Sequence, residues 1–202
     1  MVVQNCSDSG IAGCSFSIHP MSDGFVEIIT AALANVDTSK VWMDTDDVTT
    51  TVRGRLTHVF DVTKSIYIQA AKTGEHVAFE ATYSLGCPGD SAGDVYMAED
   101  DIPVNSPQVS DIKQPAAAKF SLYPLGGGNY MDVIMEQIEA MKKHVDVSHA
   151  HYSTRLDGES VKIFDGLEQV FNATVDGGSS HTVMTVSISA NSPSTKGVGE
   201  HE

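Results

Sequence analysis

With 202 residues, 41% of them hydrophobic, the chain is long enough for one ordinary domain or two small ones and too polar for a membrane protein. Its net charge of −15, from 27 acidic against 12 basic residues, repels phosphate backbones and argues against nucleic acid as a partner. No apolar run approaches the ~20 residues of a membrane span, the start MVVQNCSDSG lacks the regions of a secretory signal, and the three cysteines (Cys6, Cys14, Cys87) form no CxxC pair, so a reduced, cytoplasmic setting is expected.

Residues 15–19 alternate, with Phe16 and Ile18 on one side and Ser15, Ser17 and His19 on the other, which predicts a half-buried strand stopped by Pro20. Ser22 is the expected N-cap of a helix whose apolar stripe is Phe25, Ile28, Ile29, Ala32, Leu33 and Val36. VWMDTDDVTTTVRG predicts two short strands around a turn at Asp46-Asp47. Leu56, Val59, Phe60, Thr63, Ile66, Tyr67 and Ala70 make a second amphipathic helix, closed by Gly74. Val77, Phe79, Ala81, Tyr83 and Leu85 then alternate along a last strand with His76, Ala78, Glu80, Thr82 and Ser84.

The segment from Gly86 to Pro115 is rich in Gly, Pro, Asp and Ser and has no apolar period. It reads as a connection, long enough that part of it should pack on the surface or cover something. After it the pattern returns. FSIHP at 16–20 becomes FSLYP at 120–124, and Phe60-Asp61 becomes Phe164-Asp165. One residue later in register, His76, Ser84 and Pro88 match His181, Ser189 and Pro193. Helices follow at Tyr130, Val133, Ile134, Ile138 and Met141, then at Ile163, Phe164, Leu167, Val170 and Phe171. The chain therefore divides into a first repeat at 1–86, a linker at 87–115 and a second repeat at 116–202.

Each repeat runs β-α-β-β-α-β, so the fold class is α+β, with two tandem ferredoxin-like repeats and helices on one face of each sheet. The other face is left open by its own repeat. It receives Ser15, Ser17, His19, Thr49, Thr51, Arg53, Thr82 and Ser84 in the first copy. In the second it receives Ser121, Tyr123, Ser153, Arg155, Asp157, Thr185, Ser187 and Ser189. Hydroxyls dominate both sets. They could be fillers of a polar strand face through which two sheets pack. They could equally line a polar pocket, because a hydroxyl both donates and accepts and suits a small ring of mixed edges. Trp42, Tyr83 and Tyr123 are candidate faces for such a ring, with core packing the alternative for Trp42 and Tyr83.

FSIHPMSDGFVEII, TSKVW, TVRG with HVFD, YSLGCPGD, FSLYP with YMDVIME, HYSTRLDG and SISANSPS resemble the YkoF family of thiamin/hydroxymethylpyrimidine-binding proteins, over about residues 10–195. The resemblance implies one ligand on the sheet of each repeat, no chemical transformation, a homodimer, and a cytoplasmic role in uptake or salvage of thiamin precursors with a link to a membrane transporter. Carried onto matching positions, it implies Ser17, His19, Thr49, Thr51, Cys87 and Asp90 in one site and Ser121, Tyr123, Ser153, Arg155 and Asn191 in the other, with Ser84 and Ser189 of the open face beside them. The copies differ at His19 against Tyr123, Thr51 against Arg155 and Arg53 against Asp157, so unequal affinities are expected.

Other chemistries are weaker. Cys87 lacks an evident base, and the Ser17–His19 pair becomes Ser121–Tyr123 in the second copy, so no enzyme is expected. His149 and His151 would share a strand face but lack a third ligand, so neither metal nor cofactor is expected. Gly126-Gly127-Gly128 precedes a helix yet matches no phosphate-binding motif. The runner-up function is a regulatory module that senses another small molecule and acts through a protein partner.

Overall fold

The computed structural model describes residues 10–86, 91–126 and 129–194. The chain lays down β1 (Ala12–Pro20), α1 (Phe25–Ala34), β2 (Trp42–Thr45), β3 (Thr50–Gly54), α2 (Leu56–Ala71) and β4 (Val77–Leu85). A 3-10 turn (Asp94–Ala98) and α3 (Ser106–Val109) follow in the connection. The pattern then repeats as β5 (Pro115–Leu125), α4 (Tyr130–Met141), β6 (Asp146–Ala150), β7 (Ser153–Glu159), α5 (Ser160–Asp176) and β8 (His181–Ala190). The tandem ferredoxin-like reading holds, and every strand pairing is antiparallel.

The strand order is β2-β3-β1-β4-β8-β5-β7-β6. Each half has the ferredoxin-like order, and the halves join edge to edge through β4 and β8 into one eight-stranded sheet. Packing of two sheets through the hydroxyl face, one of the two readings of that face, does not occur within the chain, which has one sheet with one open face. Alternation along a strand assigns its two faces but says nothing about its neighbours, so the join was invisible to periodicity. At its centre Ala81 pairs with Val186, its own counterpart in the other repeat, which places a pseudo-twofold axis through that pair.

The helices form a single layer on the other face, with α2 and α5 side by side over the join and α1 and α4 outside them. The core beneath is shared. Tyr67 of α2 lies 5.7 Å from Phe164 of α5, Phe164 lies 5.9 Å from Phe79 of β4, and Phe60 of α2 lies 6.2 Å from Phe171 of α5. Tyr83 is fully buried, stacked 4.2 Å from Phe60, with its hydroxyl 2.8 Å from that of Thr63. Its ring belongs to the core and faces away from the open surface. Cys14 is buried beside it, and burial pushes its thiol far up from the usual range.

Two local expectations shift. The helix α1 starts at Phe25 with Gly24 at its N-cap, and the Ser22 hydroxyl accepts instead from the Gly24 amide in the approach turn. Phe25 is 49% exposed, so the buried stripe of α1 begins further along, at Ile28. The turn between β2 and β3 is held as an Asx turn, with Asp46 Oδ1 accepting from the Val48 and Thr49 amides at 2.8 Å each.

The connection is docked on the helix layer. The buried carboxylate of Asp61 accepts from the backbone amides of Val104, Asn105 and Ser106, from the Asn105 side-chain amide and from the Ser106 hydroxyl. Asp101 pairs with Arg55, and Asp100 with Lys40.

The α2–α5 contact also carries charge. Lys64 reaches Asp165 at 3.3 Å, and Glu168 lies one turn further along α5. Burial pushes the Glu168 carboxyl up to about 7, with Asp165 and Asp61 adding to the shift and Lys64 opposing it. The folded chain thus holds a proton that the unfolded chain releases near the ordinary glutamate value of 4.5. Stability should fall as pH rises from about 4.5 to about 7 and stay level above that range. Glu168→Gln should remove this slope and gain on the order of 2–3 kcal/mol at pH 8. Urea unfolding of both proteins at pH 5 and pH 8 measures it; parallel curves for the two would refute the assignment.

A two-sided candidate site on the open sheet face

Strand register arranges the open face in rows that cross the join. One row reads Asp44, Thr51, Ser15, Thr82, Thr185, Ser121. The next reads Ser17, Glu80, Ser187, Lys119, Arg155, Ser148. The pseudo-twofold axis exchanges them: Ser17 corresponds to Ser121, Glu80 to Thr185, Ser187 to Thr82, Lys119 to Ser15 and Arg155 to Thr51. The first row carries hydroxyls at every position except Asp44, at its β2 end. Its mate carries Glu80, Lys119 and Arg155. Period-two alternation already places Glu80 beside Thr82 and Lys119 beside Ser121, so both charged residues belong to the face that hydroxyls were expected to dominate.

The outer rows are related in the same way. His19, Ala78 and Ser189 lie side by side, as do Tyr123, Val183 and Ser84. Ser84 of the first repeat thus stands in the row of Tyr123, and Ser189 of the second in the row of His19. The expected grouping of each serine with its own repeat is exchanged. Two histidines follow the same rule: His76 Nε2 is 2.9 Å from Ser189 Oγ, and His181 Nε2 is 3.4 Å from Ser84 Oγ. Two corners result, each straddling the join. One gathers Ser17, His19, His76, Ser189 and Glu80; the other gathers Ser121, Tyr123, His181, Ser84 and Thr185.

Much of the polar surface is already organised. His19 Nε2 lies 2.9 Å from Ser17 Oγ, and the Ser15 hydroxyl donates to Thr49 Oγ1 at 3.0 Å. Arg155 grips Asp157 through Nε and Nη2, each at 3.0 Å. The Ser121 hydroxyl donates to the Tyr152 carbonyl at 3.2 Å, and that of Ser153 to the His151 carbonyl at 3.5 Å. The Ser187 hydroxyl donates to the Glu80 carboxylate. Such contacts fix rotamers, and hydroxyls so held keep spare acceptor capacity toward a ligand.

The YKOF-related family matches residues 11–90 and again 115–195. The chain belongs to the YkoF-related family. It is 43% identical over 192 residues, 95% of this chain and 96% of the other, to the Bacillus subtilis protein named "Putative HMP/thiamine-binding protein YkoF". A solved structure of a hypothetical protein from Methanocaldococcus jannascii is 20% identical and covers 44% of this chain and 88% of its own, with a TM-score of 0.35.

For this YkoF relative, the residues expected at the sites fall into three groups. Ser17, His19, Thr51, Ser84, Ser121, Tyr123, Ser153, Arg155 and Ser189 lie on the open face, and Thr49 enters it from the turn before β3. Asn191 lies past the end of β8, where its amide donates to the Ala71 and Glu75 carbonyls and accepts from the Gln114 side chain. Those bonds tie it to the α2–β4 turn. Cys87 and Asp90 lie outside the described residues.

Trp42 stands at the edge of the face beside Arg53. Gly93 of the connection lies directly against them; a Cβ there would sit 3.0 Å from Trp42 Cβ and 3.3 Å from Arg53 Cβ, and its φ is +90°. The connection thus walls one side of the face before it turns onto the helix layer. His151 falls in the turn after β6, so it shares no strand face with His149. Among the described residues no group of three His, Cys, Asp or Glu could hold a metal ion, and no helix is long and apolar enough to cross a membrane.

Proposed function

We propose that the chain binds thiamin or its hydroxymethylpyrimidine moiety on the open sheet face, at two pseudo-equivalent corners, and releases it unchanged. What carries the reading is the face itself. It presents two related sets of hydroxyl and imidazole groups, one of them with the Glu80 carboxylate, in a chain closely similar to a protein named for this ligand. An aminopyrimidine offers an amino donor beside ring-nitrogen acceptors, which Ser17, Ser121 and Thr185 can complement in either sense. The thiazolium cation of thiamin suits an acidic chain and the exposed ring of Tyr123. The setting we propose is cytoplasmic, as a homodimer that serves uptake or salvage in concert with a membrane transporter.

Thermal unfolding tests the reading. Thiamin or hydroxymethylpyrimidine should raise the melting temperature, while amino acids and nucleotides should not, and NMR should recover the ligand intact. Ser17→Ala and Thr49→Ala should each cost roughly 1–2 kcal/mol of binding, about five- to thirtyfold in Kd, with the fold unchanged. No melting shift with either compound at millimolar concentration would end the proposal.

A further inference from the structure

The two central rows are exchanged by the pseudo-twofold axis, yet they differ in charge. Where one row has Ser15 and Thr51, its mate has Lys119 and Arg155 as direct neighbours on β5 and β7. Lys119 is exposed, and among the described residues its ammonium has no ion-pair or hydrogen-bond partner. Arg155 spends two donors on Asp157 and keeps three, and its Cα is the register partner of Lys119 on the neighbouring strand. Ser187 and Ser148 extend the same row. Glu80 stands two strands from Lys119, about 10 Å away at the usual strand spacing. The row is therefore acidic at one point and basic at the next, in a protein whose surface is otherwise strongly acidic. An uncommitted ammonium with an adjoining guanidinium and two hydroxyls has the chemistry of a site for a phosphate monoester.

We propose that the row with Lys119 and Arg155 selects a phosphorylated ligand, with the phosphate on those two cations, and that its mate, which holds no cation, takes the unphosphorylated compound. This rests on the ligand reading above and adds a division of labour between the rows. A ring resting toward Ser17 and Glu80 would direct its ester across Ser187 to Lys119. The corresponding path in the mate runs from Ser121 and Thr185 across Thr82 to Ser15 and meets no cation.

Isothermal titration tests the division with hydroxymethylpyrimidine and its phosphate monoester on the wild type, Lys119→Ser and Arg155→Thr, each variant installing the counterpart from the other row. The wild type should bind the ester at one site at least tenfold more tightly than the alcohol, and the preference should weaken as salt is raised. Lys119→Ser should abolish the preference while keeping affinity for the alcohol, and Arg155→Thr should reduce it. Equal binding of ester and alcohol by the wild type would overturn this inference alone, as would a preference that survives in Lys119→Ser. Failure of both compounds to bind would overturn it together with the ligand reading. Circular dichroism of each variant guards against misfolding, and inorganic phosphate competing with the ester only in proteins that keep Lys119 gives independent support.

Discussion

Phe164→Ala should lower stability by about 3–5 kcal/mol, equivalent to a fall of roughly 6–20 °C in Tm. The ring is 1% exposed and belongs to the second repeat, yet its aromatic neighbours, Tyr67 and Phe79, belong to the first. Deleting it opens a cavity between α2, α5 and β4, where neither half can collapse inward without pulling on the other. The loss should consequently appear as one calorimetric transition moving as a whole. Two separate transitions, with only one displaced, would show that the repeats melt independently and that the common core contributes little.

The second large effect is expected at Asp61. Its carboxylate is 2% exposed and accepts five hydrogen bonds from a stretch more than 40 residues away in sequence. Asp61→Ala leaves the Val104, Asn105 and Ser106 amides without their acceptor, at about 1–3 kcal/mol for each donor that stays dry. Water entry and local rearrangement will relieve part of this, so a net loss of about 3–5 kcal/mol is expected. Hydrogen exchange discriminates the cause. The amides of 104–106 should exchange far faster in Asp61→Ala, with protection in β5 and β8 changed only in proportion to global stability. Asp61→Asn, which keeps the shape and one acceptor oxygen, should lie between. Unchanged exchange at 104–106 would mean that the connection is held by something else.

The two elements behind these effects were unequally legible. The repeat, the six-element order and the helix stripes could be read from spacing, because periods of 2 and 3.6 residues are local properties of the chain. Phe60-Asp61 and Phe164-Asp165 were visible as a recurring pair, but their roles were not. Asp61 anchors the connection, whereas Asp165 faces Lys64. Which side of β4 points to the helices follows from its alternation, and that alternation places Tyr83 inside and Glu80 outside. The partner of β4 does not follow, since an exposed edge could as well pair with a second chain or stay free. The exchange of Ser84 and Ser189 between corners depends wholly on that partner. Asn191 illustrates a different limit. A polar residue at a strand end can face a ligand or tie down a turn, and only the positions of the Ala71 and Glu75 carbonyls decide between them.

The covalent joining of the two halves has a consequence for how the face can diversify. In a symmetric pair of separate, identical polypeptides, any substitution appears on both sides at once, so a lysine that suits one ligand is imposed on the other as well. Here the gene specifies each side separately. That freedom allows Glu80 to stand opposite a threonine and Lys119 opposite a serine while the Ala81–Val186 pair keeps the geometry common.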